Sequence, residues 1–284
     1  MRKFLTVYIC LILCLLTGCR KTPAWADHAK TELTVAFIDV GKGDCIVIAG
    51  GDHVIMIDCG YEDTVKAVKA DLSDLRIDHI DEMIITHYDK DHYGGAAGLL
   101  HTYPAKTVYI PDYLPEGEKY EDVMEDLEDS GANLVRVREQ IKIAFPIGEQ
   151  EAELTILPSF VSYDAAEKND NDMSLVEALH YGADSFLFTG DIERESIEAF
   201  IPVAEHYDIL KFPHHGDWKK NTESLLEKID PKEVIITDGD DRPVEEKTEA
   251  YLTEAAIPYY TTKENGSIVV FCTGSGTYEV VCGK

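Results

Sequence analysis

Short apolar runs recur along this chain, separated by glycine-containing turns and by stretches whose apolar residues repeat at helical spacing. Short runs rich in Val, Ile, Phe and Tyr predict strands; apolar positions three and four apart predict amphipathic helices. Thr34 to Asp39, Asp44 to Ala49 and His53 to Asp58 therefore read as strands, followed by a helix over Glu62 to Leu75 with Val65, Val68, Leu72 and Leu75 on one face. A strand over Met83 to Thr86 leads into a polar loop and a helix ending at Thr102; Thr107 to Ile110 is a strand, and Tyr120 to Ser130 an acidic helix stopped by Gly131. Strands over Asn133 to Val137, Ile141 to Phe145 and Ala152 to Leu157 come next. The polar loop Ser162 to Asp172 separates them from a strand pair, Met173 to Tyr181 and Ser185 to Thr189. The rest reads as a helix (Ile192 to Phe200), a strand (Ile209 to Phe212), a helix capped by Asn221 (to Ile229), a strand (Val234 to Thr237), a helix (Pro243 to Ala255) and a hairpin of Ser267 to Cys272 with Thr277 to Cys282. Strand-rich stretches interspersed with helices in both halves predict an α+β fold, two sheets packed face to face with helices outside.

Polar residues concentrate where the Met83 to Thr86 strand ends. His87-Tyr88-Asp89-Lys90-Asp91-His92 places two imidazoles and two carboxylates on one short segment, and Gly94-Gly95 follows. A buried strand cannot deliver four such groups inward cheaply without a partner, and a divalent metal is the natural one. The glycine pair is expected to let the chain turn tightly into the next helix. A surface loop would account for one His-Asp pair; four candidate ligands at this spacing argue against it. Asp191, behind Thr189-Gly190, is either the N-cap of the helix from Ile192 or, through its two oxygens, a bridge between cations about 3.5–4 Å apart. His214-His215 follow a short apolar run, and on an extended chain adjacent imidazoles diverge, so one can hold a metal while the other faces substrate.

The segment from His87 resembles the metal-binding loop of the metallo-β-lactamase superfamily, usually His-x-His-x-Asp-His, with Asp89 replacing the second His. The variant resembles the branch containing the hydrolase domain of ComEC-type competence proteins. The likeness extends over about residues 33 to 282, in family order: Asp39-Val40-Gly41-Lys42-Gly43-Asp44, Ile57-Asp58-Cys59-Gly60, Asn171-Asp172-Met173-Ser174-Leu175-Val176, Thr189-Gly190-Asp191 and Leu210-Lys211-Phe212-Pro213-His214-His215-Gly216. It implies a four-layer αββα sandwich with metals where loops converge at the sheet edge. It also implies two divalent ions, zinc or, because carboxylate replaces imidazole, manganese. His87 and Asp89 would hold one ion and Asp91 and His92 the other, with Asp191 bridging and His215 as a further ligand. Many members carry another His ahead of the Ser174 region; Asn169, Asp170, Asn171 and Asp172 stand here instead, leaving the His87/Asp89 position short of ligands. Asp91 and His214 are the expected catalytic groups, Asp91 orienting a metal-activated water or taking its proton. Asp58 is expected to support a ligand His from behind, and Asn171 to contact substrate or orient a ligand. Tyr88 and Trp218 either frame the pocket, stacking a base or holding a quaternary ammonium, or simply pack. Asp39 and Asp44 are expected to fix their turn.

The formal net charge is −28 with no obvious basic patch, which argues against tight non-specific nucleic-acid binding. It leaves phosphoester hydrolysis open, because there the metals carry the positive charge. Met1-Arg2-Lys3 followed by an apolar run to Leu16 describes a secretory signal. Leu16-Thr17-Gly18-Cys19 resembles a bacterial lipobox. The division expected is a signal over 1–18, a lipid-bearing Cys19 with a tether to 32, and a hydrolase domain over 33–284. The protein would then be secreted and held by that lipid at the outer face of the bacterial membrane; an ordinary signal or an uncleaved anchor is the alternative. Cys45, Cys59, Cys272 and Cys282 permit disulfides there, although Cys45 and Cys59 in strand-like runs read equally as buried small apolar residues. The expected function is metal-dependent phosphodiester hydrolysis. An extracellular nuclease fits the ComEC-type motifs, and a phosphorylcholine- or teichoic-acid-type esterase fits the anchor and acidity. Asp89 speaks against β-lactam hydrolysis. A non-catalytic surface module that binds a ligand on the same fold is the rival.

Overall fold

Successive strand residues point to opposite faces, and here both faces are apolar. Phe37, Ile46, Ile48, Ile55 and Ile57 pack on one side of their sheet, and Ala36, Val47, Val54 and Met56 on the other. A sheet of that kind must be covered twice. The computed structural model, which describes residues 32–284 apart from 114 and 116–118, shows how. The chain runs β1 (Leu33–Phe37), β2 (Ile46–Gly50), β3 (His53–Ile57), α1 (Val65–Asp74), β4 (Glu82–Ile84), α2 (Lys90–Tyr93), α3 (Ala96–Leu100), β5 (Thr107–Pro111), α4 (Lys119–Asp129) and β6 (Asn133–Val137). It continues through β7 (Ile141–Ile147), β8 (Gln150–Leu157), β9 (Val176–Tyr181), β10 (Asp184–Phe188), α5 (Arg194–Phe200), β11 (Ile209–Lys211), α6 (Thr222–Ile229) and β12 (Glu233–Ile236). The last elements are α7 (Glu246–Glu254), β13 (Tyr259–Thr261), α8 (Thr262–Asn265), β14 (Ile268–Cys272) and β15 (Tyr278–Cys282).

One sheet has the order β15-β14-β1-β2-β3-β4-β5-β6, the other β13-β12-β11-β10-β9-β8-β7. Three apolar layers fill the spaces between four layers of structure. Val68, Leu72, Leu99, Leu100, Val123 and Leu127 from α1, α3 and α4 cover the first sheet. Side chains such as Phe37, Leu179, Phe186 and Phe188 join the two sheets, with the Phe37 and Phe188 rings 6.0 Å apart. Ile197, Phe200, Leu225, Ile229 and Leu252 from α5, α6 and α7 cover the second. The expected αββα sandwich is the observed one.

The parallel strands β3, β4 and β5 and the parallel set β10 to β13 set the functional end. Asp58, His87, Asp191, His214 and Thr237 all lie just beyond the carboxyl ends of strands in these sets, the end where parallel sheets present loops for ligands.

Two local readings change and one left open is decided. Three-residue β13, too short to register as an apolar run, pairs in parallel with β12. Asn221 precedes α6 without capping it; its amide donates to Glu198 Oε2 at 3.2 Å. The four cysteines are free thiols, Cys45, Cys59 and Cys272 buried. Among the described residues no helix is long and apolar enough to cross a membrane; the signal segment and Cys19 lie outside the described residues.

Candidate metal centre

After β4 the chain enters α2, a single turn that presents Asp91 and His92 to the interior. Its position rests on close approaches to the loop after β3. Cys59 N donates to His92 O at 2.7 Å and Gly95 N to Gly60 O at 2.9 Å. A Cβ at Gly95 would lie 2.2 Å from Cys59 O, and one at Gly94 3.1 Å from Glu62 N and 3.3 Å from Gly60 O. Both glycines have ordinary right-handed backbone. The pair is needed for backbone contact, and the expected tight turn gives way to a continuous αR path.

Asp91, His92, Asp191 and His215, all buried, bring ligand atoms within 4.8 Å of one another. His92 Nε2 and His215 Nε2 are 3.3 Å apart, and Asp191 Oδ2 lies 3.3 Å from the first and 3.1 Å from the second. Asp91 Oδ2 is 3.6 Å from His215 Nε2. The partners behind each ring set its tautomer. His92 Nδ1 is 2.7 Å from Asp58 Oδ2, an acceptor, so Nδ1 carries the hydrogen. His215 Nδ1 donates to the Thr237 carbonyl at 2.7 Å. Thr86 Oγ1 donates to Asp58 Oδ2 at 2.6 Å and so accepts from His87 Nδ1 at 3.1 Å. With Nδ1 engaged in this way, each ring in its neutral form directs an Nε2 lone pair into the site. His87 Nε2 is buried with no hydrogen-bond partner among the described residues. Facing lone pairs beside a carboxylate are repulsive unless a proton or metal ion lies between them.

The local charge makes the same demand. Asp44, Asp58, Asp91 and Asp191 are buried; Lys211 and Lys42 are the ammonium groups inside, so four negative charges meet two positive and the deficit is two. Burial opposes the ionised form of Asp191, but His215, His92 and Lys211 outweigh it and hold the carboxyl well below the usual range. Burial likewise pulls His92 down, while Asp191 and Asp58 hold it well above an ordinary imidazole. A proton held this way is what a cation displaces. The residues therefore fit a divalent ion.

A sequence profile described as the metallo-beta-lactamase superfamily matches residues 38–237. The chain belongs to the metallo-β-lactamase superfamily. Within it the chain is 27% identical over 263 residues to ComE operon protein 3 of Bacillus subtilis (84% of this chain, 33% of that protein). It is 26% identical over 215 residues to Recombination protein 2 of Haemophilus influenzae (74% of this chain, 25% of that protein), which supports the ComEC-like branch. The chain thus spans about a third and a quarter of these relatives. The crystal structure of the metallo-β-lactamase fold protein YhfI from Bacillus subtilis superposes with a TM-score of 0.54 at 14% identity, covering 84% of this chain and 99% of that one.

Within this metallo-β-lactamase frame, the residues singled out by sequence fall into place unevenly. Asp191 sits among the imidazoles and does not cap α5; Asp172 serves that helix, Oδ1 accepting from Glu193 N at 2.9 Å and Ser196 N at 3.0 Å. His87 and Asp89 pair at 3.7 Å and stand outside the four-residue cluster. His214 and His215 are not on an extended chain: both are left-handed, with φ 46° and 54°, a conformation costly for non-glycine residues. The resulting turn holds the rings 6.1 Å apart at 66°. His214 Nδ1 lies 2.8 Å from Glu193 Oε1, and its Nε2 3.8 Å from Asp191 Oδ2. Asn171 donates to Glu193 Oε1 at 3.1 Å and so positions that carboxylate.

Tyr88 corrects the pocket expectation: it is fully buried, its hydroxyl donating to Pro111 O at 3.1 Å and its ring against Tyr113. Trp218 lies on Tyr251, and the cation over its ring is this chain's own Lys247 at 4.8 Å. It also borders a cleft of about 490 Å³ with Asn169, Glu193, Arg194 and Lys219. Asp39 holds its turn through Gly41 N at 3.3 Å. Asp44 does not: it lies beneath the imidazoles, 2.5 Å from Lys211 Nζ and accepting from Thr237 Oγ1 at 2.5 Å.

Sequence reasoning missed four groups. Lys211 is fully buried and donates to Gly190 O at 2.9 Å; a lone lysine inside the apolar run Ile209 to Phe212 was the available signal. Ser174 Oγ accepts from Asp191 N at 3.1 Å and lies 3.3 Å from His87 Nδ1. Glu193 gathers His214, Lys219 and Asn171, which overcome its burial and bring its carboxyl to about 2. Lys42 contacts Asp91 Oδ2 at 2.5 Å.

Proposed function

We propose that the protein is a metal-dependent hydrolase of phosphodiester bonds. The observation that carries this reading is the convergence of Asp91, His92, Asp191 and His215, with the imidazole lone pairs fixed inward by Asp58 and Thr237. Those four residues would hold a divalent ion, zinc or manganese, and His87 with Asp89 would contribute a second position. When bound, such ions acidify water and offset charge building on a phosphoryl group. The chain's own residues supply the remainder. Asp58, Thr86 and Thr237 fix the rings. Asp91, kept ionised by His92 and Lys42 against its burial, accepts a proton from the attacking water or orients it. His214, backed by Glu193, faces the substrate side.

Kinship with the ComEC-type branch supports a nuclease over a phosphorylcholine- or teichoic-acid-type esterase. The charge of −28 opposes extended contact with a nucleic-acid backbone, so a strand would be held at the site alone. We also propose that Cys19 carries a lipid that holds the domain at the outer face of the membrane, on the strength of Leu16-Thr17-Gly18-Cys19; the mass of the N-terminal peptide from membranes tests that point.

The test is hydrolysis of bis(p-nitrophenyl) phosphate with zinc and with manganese, beside Asp191→Ala and His215→Ala. Metal-dependent turnover that drops by at least a hundredfold in both variants is expected, and justifies comparing single-stranded DNA with choline-bearing polymers. A folded, metal-loaded protein with no turnover would overturn the reading in favour of a ligand-binding module.

A further inference from the structure

We propose that Lys42 is a substrate-binding residue, its ammonium receiving a non-bridging oxygen of an anionic phosphoryl group beside Asp91. The inference rests on the phosphodiester reading above and adds the group that selects an anionic substrate.

The placement of Lys42 is built into the fold. It lies between Gly41, at φ +74°, and Gly43, in the loop joining β1 to β2. A Cβ at Gly43 would lie 2.6 Å from Asp91 O, to which Asp44 N donates at 3.1 Å. From the other side, a Cβ at Gly239 would lie 2.5 Å from Lys42 N. The loop is thus clamped between α2 and the segment after β12, and Lys42 has little freedom of position. Its side chain, 18% exposed, reaches Asp91 Oδ2 at the mouth of the cluster. Arg242, on that same segment after β12 and paired with Asp217 Oδ2 at 2.5 Å, is close enough to repel it, so two cations border one rim of a strongly acidic protein.

Asp91 is also a member of the four-residue metal cluster. Its charge cannot be fully given to both a divalent ion and an ammonium. A largely buried ammonium that shares its counter-ion with a metal needs a further anion or pays in desolvation. A phosphoryl oxygen meets that need, and a charge-assisted contact of this kind carries a tenfold or greater share of affinity.

Inorganic phosphate is the probe. Its dissociation constant from the zinc-loaded protein is measured by calorimetry for the wild type, Lys42→Ala and Lys42→Arg, with metal content determined for each. The expected result is weakening of at least tenfold in Lys42→Ala, partial recovery in Lys42→Arg, and equal zinc content throughout. Equal phosphate affinity in wild type and Lys42→Ala, no phosphate binding by the wild type, or loss of zinc in Lys42→Ala each overturns the proposal, the last by reducing Lys42 to a support for Asp91. Lys42-dependent phosphate binding without hydrolysis of bis(p-nitrophenyl) phosphate sustains the anion site while the phosphodiesterase reading fails.

Discussion

Asp58 Oδ2 lies 2.7 Å from His92 Nδ1, and this contact fixes which nitrogen of His92 faces Asp191. The same carboxylate accepts from Thr86 N at 2.8 Å and Thr86 Oγ1 at 2.6 Å, so one buried side chain orients His92 directly and His87 through Thr86. Asp58 is left-handed at φ 54°, a conformation asparagine tolerates. Asp58→Asn therefore keeps the backbone and removes the charge behind the ring. Losing a carboxylate partner of a ligand histidine typically costs 10–100-fold in metal affinity. A chelator competition assay is expected to show a loss in that range, with the far-ultraviolet circular dichroism unchanged. Unaltered affinity would remove Asp58 from the account.

Lys211 holds the floor of the site. It is fully buried, 2.5 Å from Asp44 and 3.5 Å from Asp191, and those carboxylates keep it charged against its burial. Lys211→Met leaves both carboxylates without that counter-charge. Breaking a buried pair from one side costs about 3–5 kcal/mol. Urea denaturation in the presence of a chelator is expected to show a loss of this size. Saturation with zinc, which returns positive charge to Asp191, is expected to shrink it. An equal loss in both conditions would contradict the charge argument.

Gly95 tests the seating of α2. Alanine there has an acceptable φ but puts its Cβ 2.2 Å from Cys59 O, a backbone atom that cannot swing aside. Gly95→Ala must separate α2 from the loop after β3, carrying Asp91 and His92 away from Asp191 and His215. Overpacking of this kind costs about 1–3 kcal/mol, and weaker metal binding is expected with it. Gly131→Ala serves as a control, since a Cβ there would meet nothing within 4 Å and only its φ of +73° is strained. Similar metal affinity in the two variants would show that the close approach is immaterial.

The strands were legible because most of them are apolar on both faces, a signal that is local in sequence. The ligand set was legible because its members come in short runs tied to strand ends, and because Asp58 stands directly behind a buried strand. What escaped reading depends on partners far apart along the chain. Asp44 meets Thr237 Oγ1 across 193 positions, and nothing near Asp44 announces it. Lys211 stands inside the apolar run Ile209 to Phe212, and its ammonium turns inward to Asp44, which no neighbour in sequence announces. The left-handed backbone of His214-His215 is held by partners distant in sequence, His214 N donating to Gly190 O at 3.2 Å and His215 Nδ1 to Thr237 O at 2.7 Å. Of the two roles open to Tyr88 the structure shows packing, and the partners that decide it, Pro111 O and the Tyr113 ring, lie on a later strand and loop.

Glu177 makes the last test. On β9, Leu179 and Tyr181 face the space between the sheets while Val176 and Ala178 face the helices, so alternation sends Glu177 between the sheets. It is fully buried, and neither carboxylate oxygen has a hydrogen-bond partner elsewhere among the described residues. Burial, with Asp58 and Asp44 nearby, raises its pKa well above the ordinary glutamate value of 4.5. The native state then binds more protons than the unfolded state once the pH exceeds 4.5, and the slope of stability with pH is negative from there up to the folded pKa. Glu177 therefore weakens the fold progressively as the pH rises through that window. Glu177→Leu removes the effect and an unpaired polar group worth about 1–3 kcal/mol. Urea midpoints for the zinc-loaded proteins at two pH values above 4.5 are expected to show a stabilised variant, with the larger gain at the higher pH. A variant less stable than wild type at both values would mean that Glu177 has a favourable partner in the folded protein.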